Sequence, residues 1–144
     1  MAEVAKLQAF KPIKIQRQVH FYETDAMKVV HHTNYLRYFE EARVAWGIDR
    51  GIINLDPEMA KTHLAVIDVQ AKYIKPLVFG DNFEVEVQVR LQKIRLIFQY
   101  RIIRDGVVTT TGETIHVPLD EDLKIKLWDE KVKEILRSEP WTEI

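Results

Sequence analysis

The sequence predicts an α+β fold in which one antiparallel sheet wraps around a single long helix, with a short helix at the C-terminal end. Three features predict it. Large apolar residues fall at helical spacing over one long stretch, from about Asn34 to Gly51. Strand-like alternation dominates the rest of the chain, from His63 to Val117. Tight-turn signals, Gly80-Asp81 and above all Asp105-Gly106, separate the later strands.

Taken in order, Ile13 to Tyr22 alternates loosely, with Ile13, Ile15, Val19 and Phe21 against Lys14, Gln16 and Gln18, and reads as the first strand. A polar segment, Glu23-Thr24-Asp25, and an apolar pair, Val29-Val30, lead into the helix. There Tyr35, Phe39, Ala42 and Trp46 form a narrow stripe, flanked by Tyr38 and Ala45. Thr33 or Asn34 is placed to cap its start, and Gly51 to end it. At 1.5 Å per residue the helix is about 25 Å long.

A loop with Asp56-Pro57 follows, and then the solid apolar run Leu64-Ala65-Val66-Ile67, as expected of a strand covered on both faces. Phe83 to Leu91 alternates with Glu84, Glu86, Gln88 and Arg90, the cleanest strand in the chain. Ile94 to Ile102 repeats the pattern, and Val107 to Val117 follows the hairpin turn. Short connections predict that these four strands pair as an antiparallel meander. Trp128, Val132, Ile135 and Leu136 mark the C-terminal helix. No repeat, low-complexity tract or linker divides the chain, which reads as one domain over 1–144.

Composition narrows the function. A net charge of -1 argues against a nucleic-acid binder, which carries a basic excess. The absence of cysteine excludes a disulfide scaffold, a cysteine nucleophile and a thiolate metal site together. Met1 to Pro12 has no apolar core of signal-peptide length, and no run of about 18 apolar residues predicts a membrane span. The expected address is cytoplasmic.

The chemistry concentrates between Tyr22 and Tyr35. Asp25 lies in a loop before the N-terminal end of the long helix. A carboxylate there can activate water or attack an acyl carbon, while the unpaired N–H groups of the helix end can hold an oxyanion. His32 sits beside the cap and can present its backbone N–H, its imidazole, or both. His31-His32 does not read as a metal site, because adjacent side chains diverge and no carboxylate follows at i+3 or i+4. Glu40 and Glu41 lie off the apolar stripe, which points to solvent or to interface pairing with Arg37 and Arg43 rather than to catalysis. His20, His63 and His116 read as structural or surface residues.

Thr24-Asp25, Val29-Val30-His31-His32-Thr33-Asn34-Tyr35 and Phe39-Glu40-Glu41-Ala42-Arg43 occur in that order, followed by Tyr73-Ile74-Lys75-Pro76 and Gly80-Asp81. With these, the chain resembles the acyl-CoA thioesterases of the 4-hydroxybenzoyl-CoA thioesterase class in the hotdog superfamily. The resemblance implies a hotdog fold, hydrolysis of an acyl-coenzyme A, Asp25 as the catalytic carboxylate and His32 as the oxyanion donor. Thr33, Asn34 and Tyr35 at the helix start are the candidate substrate-binding residues. Tyr35, Tyr38, Phe39 and Trp46 read as core packing ahead of an aromatic substrate cage, with Tyr35, nearest the helix start, the one placed to border the acyl group. No cofactor is expected, coenzyme A being part of the substrate. Active sites in this family lie at a subunit interface, so a homodimer or homotetramer is expected. Lys28 stands where the family commonly has glycine, so the loop either takes an ordinary conformation or accepts strain.

Coenzyme A carries phosphates, and Lys72, Lys75, Arg90, Lys93, Arg95 and Arg101 are the basic residues available to meet them. Two other readings share the sequence features. One is an acyl-ACP thioesterase with the same chemistry. The other is a non-catalytic acyl-CoA-binding protein, which would have no need of Asp25.

Overall fold

A computed structural model describes residues 13–52 and 62–143. The expectations for Met1–Pro12 and for the loop with Asp56-Pro57 lie outside the described residues.

Strand β1 (Ile13–Gln18) runs into a single 3-10 turn (Phe21–Glu23), a loop, and helix α1 (Thr33–Asp49). Strands β2 (His63–Tyr73), β3 (Asn82–Gln92), β4 (Arg95–Arg104) and β5 (Val107–Leu119) come next, and helix α2 (Glu130–Arg137) completes the order. All five strands form one antiparallel sheet in the order β1-β3-β4-β5-β2. The predicted class is therefore the observed one.

The sheet holds α1 because β3 and β4 carry large apolar residues at period two on one face, Val85, Val87 and Val89 beside Phe98, Tyr100 and Ile102, while β5 adds the small row Thr110, Gly112 and Thr114. Ile13, Val87, Tyr100, Gly112 and Ala71 lie in register across all five strands. A Cβ on Gly112 would come within 2.4 Å of the Phe39 ring, so this row faces the helix. Glycine lets that ring drop onto the sheet, where it stacks on Tyr100 at 4.4 Å between centroids. The predicted stripe of Tyr35, Phe39, Ala42 and Trp46 is buried as a unit, with Tyr38. Trp46 meets Phe98 edge-on, and Trp128, Val132 and Leu136 of the C-terminal region join the same core.

Three expectations about the elements need correction. The first strand stops at Gln18, because the chain turns into the 3-10 segment that carries Tyr22 and Glu23. The meander is β3-β4-β5 alone. β3 is already flanked by β1 and by its hairpin partner β4, so β2 pairs with β5 and the chain crosses from β2 to β3 through residues 74–81. The run Leu64 to Ile67 is not covered on both faces. Leu64, Val66, Ile67 and Val69 are all exposed, since β2 is an edge strand of the chain.

Turn chemistry holds where the sequence indicated it. Asp105 and Gly106 both have positive φ, at 52° and 74°, as a two-residue hairpin of this type demands. Gly51, at φ 73°, lies just beyond the C-terminal end of α1 and lets the chain turn away.

Candidate active site

The connection between β1 and α1 is itself a small hairpin. The N–H of His31 donates to the Glu23 carbonyl at 2.9 Å, Thr24 bridges to Val30, and the Asp25 N–H donates to the Val29 carbonyl at 2.9 Å. The turn at its tip runs from Asp25 to Lys28, whose N–H returns to the Asp25 carbonyl at 2.9 Å. A turn closed this way, in a hairpin with a three-residue loop, takes a left-handed residue at its last position. Lys28 fills that place at φ 66°. The loop has accepted the strain, of roughly 1 kcal/mol for a side chain with a Cβ.

Asp25 opens this turn, half-buried. Its Oδ1 accepts the Met27 N–H at 2.8 Å, which is the bond an aspartate at a turn start makes. Among the described residues its Oδ2 has no partner. One oxygen thus fixes the carboxylate while the other stays available for chemistry.

The second leg of the hairpin runs into α1. His32, rather than Thr33 or Asn34, occupies the cap position, and it makes no side-chain cap bond. Asn34 is drawn elsewhere: its Nδ2 donates to the Glu23 carbonyl at 2.9 Å, buried. Thr33 is exposed, and its hydroxyl and N–H both engage the His31 Nδ1, at 2.8 and 3.3 Å. The N–H groups of Asn34 and Tyr35 close back on the carbonyls of His31 and His32. The His32 N–H, by contrast, finds no acceptor among the described residues. It is the free donor at the helix entrance. The His31 and His32 rings stack at 4.2 Å, with His32 exposed. Tyr35 is buried against Tyr38 and Tyr73, and that burial raises its hydroxyl pKa.

Behind the hairpin lies an ionic cluster that the sequence did not single out. Glu23 is 2% exposed. Burial pushes its carboxyl pKa up, but the His20 N–H at 2.8 Å and the Arg17 guanidinium at 2.7 Å outweigh that and hold it low. Arg17 also donates to Glu41 at 3.0 Å and lies over the Tyr38 ring. Glu41 is thus engaged with strand β1, not with Arg37 or Arg43, and Glu40 faces solvent. The cluster ties β1, the 3-10 turn and α1 together, and through the Glu23 carbonyl it anchors the base of the Asp25 hairpin. Glu23 stands directly before the Thr24-Asp25 motif; Arg17 gave no signal beyond its place on a strand.

The other expectations divide. Among the described residues no group of three or more histidines and carboxylates is placed to hold a metal ion. His116 is buried, in a chain where Arg43 donates to Tyr100 Oη at 3.1 Å, Tyr100 Oη meets Thr114 Oγ1 at 2.6 Å, and Thr114 Oγ1 meets His116 Nε2 at 2.9 Å. Of the basic residues offered for coenzyme A, Arg101 is 2% exposed and paired with Glu86 at 2.9 Å. Arg90 lies over the Trp141 ring. Lys72, Lys75, Lys93 and Arg95 remain exposed. No described helix is long and apolar enough to cross a membrane.

A helix held by a five-stranded antiparallel sheet, with an acidic hairpin at its N-terminal end, is the hotdog arrangement. The sequence profile of the thioesterase-like superfamily matches residues 19–136, and the chain belongs to that family. Among solved structures it is similar to a hypothetical protein of Aquifex aeolicus, 32% identical, with a TM-score of 0.80 over 87% of this chain and 99% of that one. It is also similar to the DHNA-CoA thioesterase of Staphylococcus aureus, 26% identical, with a TM-score of 0.78 over 85% and 86% of the two chains. A 1,4-dihydroxy-2-naphthoyl-CoA hydrolase of Prochlorococcus marinus subsp. pastoris is 28% identical over 78% of this chain and 80% of its own.

Proposed function

We propose that this protein hydrolyses an acyl-coenzyme A to the free acid and coenzyme A, with Asp25 as the catalytic carboxylate and the His32 N–H as oxyanion donor. The observation that carries the reading is the hairpin itself. It holds a carboxylate of which, among the described residues, one oxygen is bonded and the other is not, and it leads directly into a helix end whose His32 N–H meets no acceptor among them.

The chemistry rests on that pair. As the thioester carbonyl is attacked, charge develops on its oxygen, and a fixed N–H with the positive helix end stabilises it. The attacking oxygen belongs either to Asp25, giving a mixed anhydride that water then cleaves, or to a water whose proton Asp25 takes. In both routes the C–S bond breaks and coenzyme A leaves as thiolate, to be protonated. Of the three residues offered at the helix start, Thr33 is open to the acyl group, whereas Asn34 is buried with its amide on the Glu23 carbonyl and Tyr35 is buried beneath the entrance against Tyr38 and Tyr73. Neither a metal nor an organic cofactor is needed by this scheme. A cytoplasmic address goes with such a substrate.

The active species is a homodimer or a dimer of dimers. Its support is β2, an edge strand 11 residues long with Leu64, Val66, Ile67 and Val69 exposed, whose outer side is open among the described residues.

Steady-state hydrolysis of a panel of aliphatic and aromatic acyl-CoAs tests the reading. Asp25→Asn should lower kcat by about 10²-fold or more, the range of a positioned acid–base group. Near-normal turnover in that variant would remove Asp25 from the mechanism.

A further inference from the structure

The Asp25 hairpin is strained at Lys28 and stands at the surface, yet its position decides whether carboxylate and oxyanion donor face the same carbonyl. Something must hold it, and the structure shows what. Val30 donates its N–H to the Leu77 carbonyl at 2.8 Å, and Val29 bridges to Val78. The hairpin is therefore laid against the crossover between β2 and β3. Leu77 and Val30 are both buried, so this short ladder is the hairpin's inner seam.

The crossover is not a regular element and needs its own support. Asp81 and Arg104 provide it. Asp81 Oδ2 accepts the Val78 N–H at 2.9 Å and the Arg104 Nη1 at 2.8 Å. The same Nη1 donates to the Pro76 carbonyl at 2.8 Å. One guanidinium nitrogen thus closes both ends of the segment Pro76–Asp81 around its middle, the part that meets Val29 and Val30. Asp81 also returns its N–H to the Val78 carbonyl at 3.0 Å, so Val78 is held through both of its polar backbone atoms.

We propose that Arg104 and Asp81 are positioning residues for the reaction. Their ion pair sets the crossover, the crossover sets residues 29–30, and these fix the hairpin that carries Asp25. Neither residue is in the catalytic pair, and Arg104 arrives from β4, far along the chain. The Glu23 carbonyl anchors the base of the hairpin and the crossover holds its outer leg at Val29 and Val30, next to the strained Lys28, so the brace acts where the hairpin is under strain. The pair is three-quarters buried, with side chains 25% and 22% exposed, so it is less screened than a surface bridge.

The inference rests on the proposed role of Asp25, and two readouts keep the two claims apart. The first is amide hydrogen exchange at Val30, which reports the seam whatever the chemistry. In Arg104→Met and in Asp81→Asn, the Val30 amide should lose about tenfold or more of its protection, while amides of β3 and β4 remain protected. Arg104→Lys, which keeps the charge, should recover much of it. The second readout is kinetic. In the same variants kcat should fall about tenfold or more, with KM changed less than about twofold, as misplacement of a catalytic group predicts. Unchanged Val30 exchange in Arg104→Met would overturn the brace, as would a uniform loss of protection across the sheet. Lost Val30 protection with wild-type kcat would overturn the positioning role. Asp25→Asn turnover decides the catalytic reading separately.

Discussion

At the residue scale, two residues show how the fold overrides an intrinsic preference, one of backbone and one of protonation. Lys28 accepts a left-handed backbone because the turn geometry requires it, and its amine remains exposed. His116 is the opposite case. Burial first, and then the nearby Arg43 charge, lower its pKa to about 4, so the folded protein holds it neutral. An ordinary histidine titrates near 6.5. The folded value lies below the unfolded one, so its contribution to stability is complete above about pH 6.5 and is lost as pH falls toward 4. The melting temperature of the wild type should therefore decline over that window more steeply than that of His116→Gln, measured by circular dichroism in matched buffers. Parallel curves would show that His116 does not titrate against the fold.

At the scale of elements, the contact between α1 and the sheet depends on one close approach. The Phe39 ring fits only because position 112 lacks a Cβ. Gly112→Ala leaves the ring too little space, and Phe39 is boxed in by Tyr100. Such overpacking costs about 1–3 kcal/mol. Chemical denaturation should show that loss for Gly112→Ala, and pairing it with Phe39→Leu should return part of it. An unchanged midpoint for Gly112→Ala would mean that the helix shifts freely over the sheet. Helix α1 was legible in the sequence because its stripe is helical in period and large in volume. Its cap was not legible: Asn34 is a good capping residue, but the Glu23 carbonyl, 11 residues earlier, claims its amide.

At the scale of the whole molecule, β2 offers an edge suited to a second copy. In the proposed homodimer, charge favours the antiparallel register of two β2 strands whose two-fold axis falls at Gln70, because it sets Asp68 opposite Lys72 of the partner subunit, twice over. Opposite charges in that position help, and like charges hurt by roughly 0.2–1 kcal/mol per pair. Light scattering should therefore find at least a dimer. Asp68→Lys and Lys72→Asp should each weaken it, and the double exchange should restore it. A monomeric wild type would overturn the dimer, and indifference to either single change would overturn the register.

The sequence by itself determined the class of fold, the long helix, the hairpin at Asp105-Gly106 and the segment that holds the candidate site. These are matters of period, turn chemistry and local spacing, which neighbouring residues settle among themselves. Tertiary structure alone decided the rest. It paired β2 with β5, because β3 had both its edges taken, and so left an apolar run exposed that the sequence read as covered. It gave Glu23 to Arg17 and Asn34 to Glu23, and it brought Arg104 and Asp81 behind the hairpin of Asp25. Those contacts join residues distant along the chain, and no local pattern encodes which distant partner a polar group will meet. The strain at Lys28 lies between the two. The sequence posed it as a choice, and the closure of the turn from Asp25 to Lys28 made the choice.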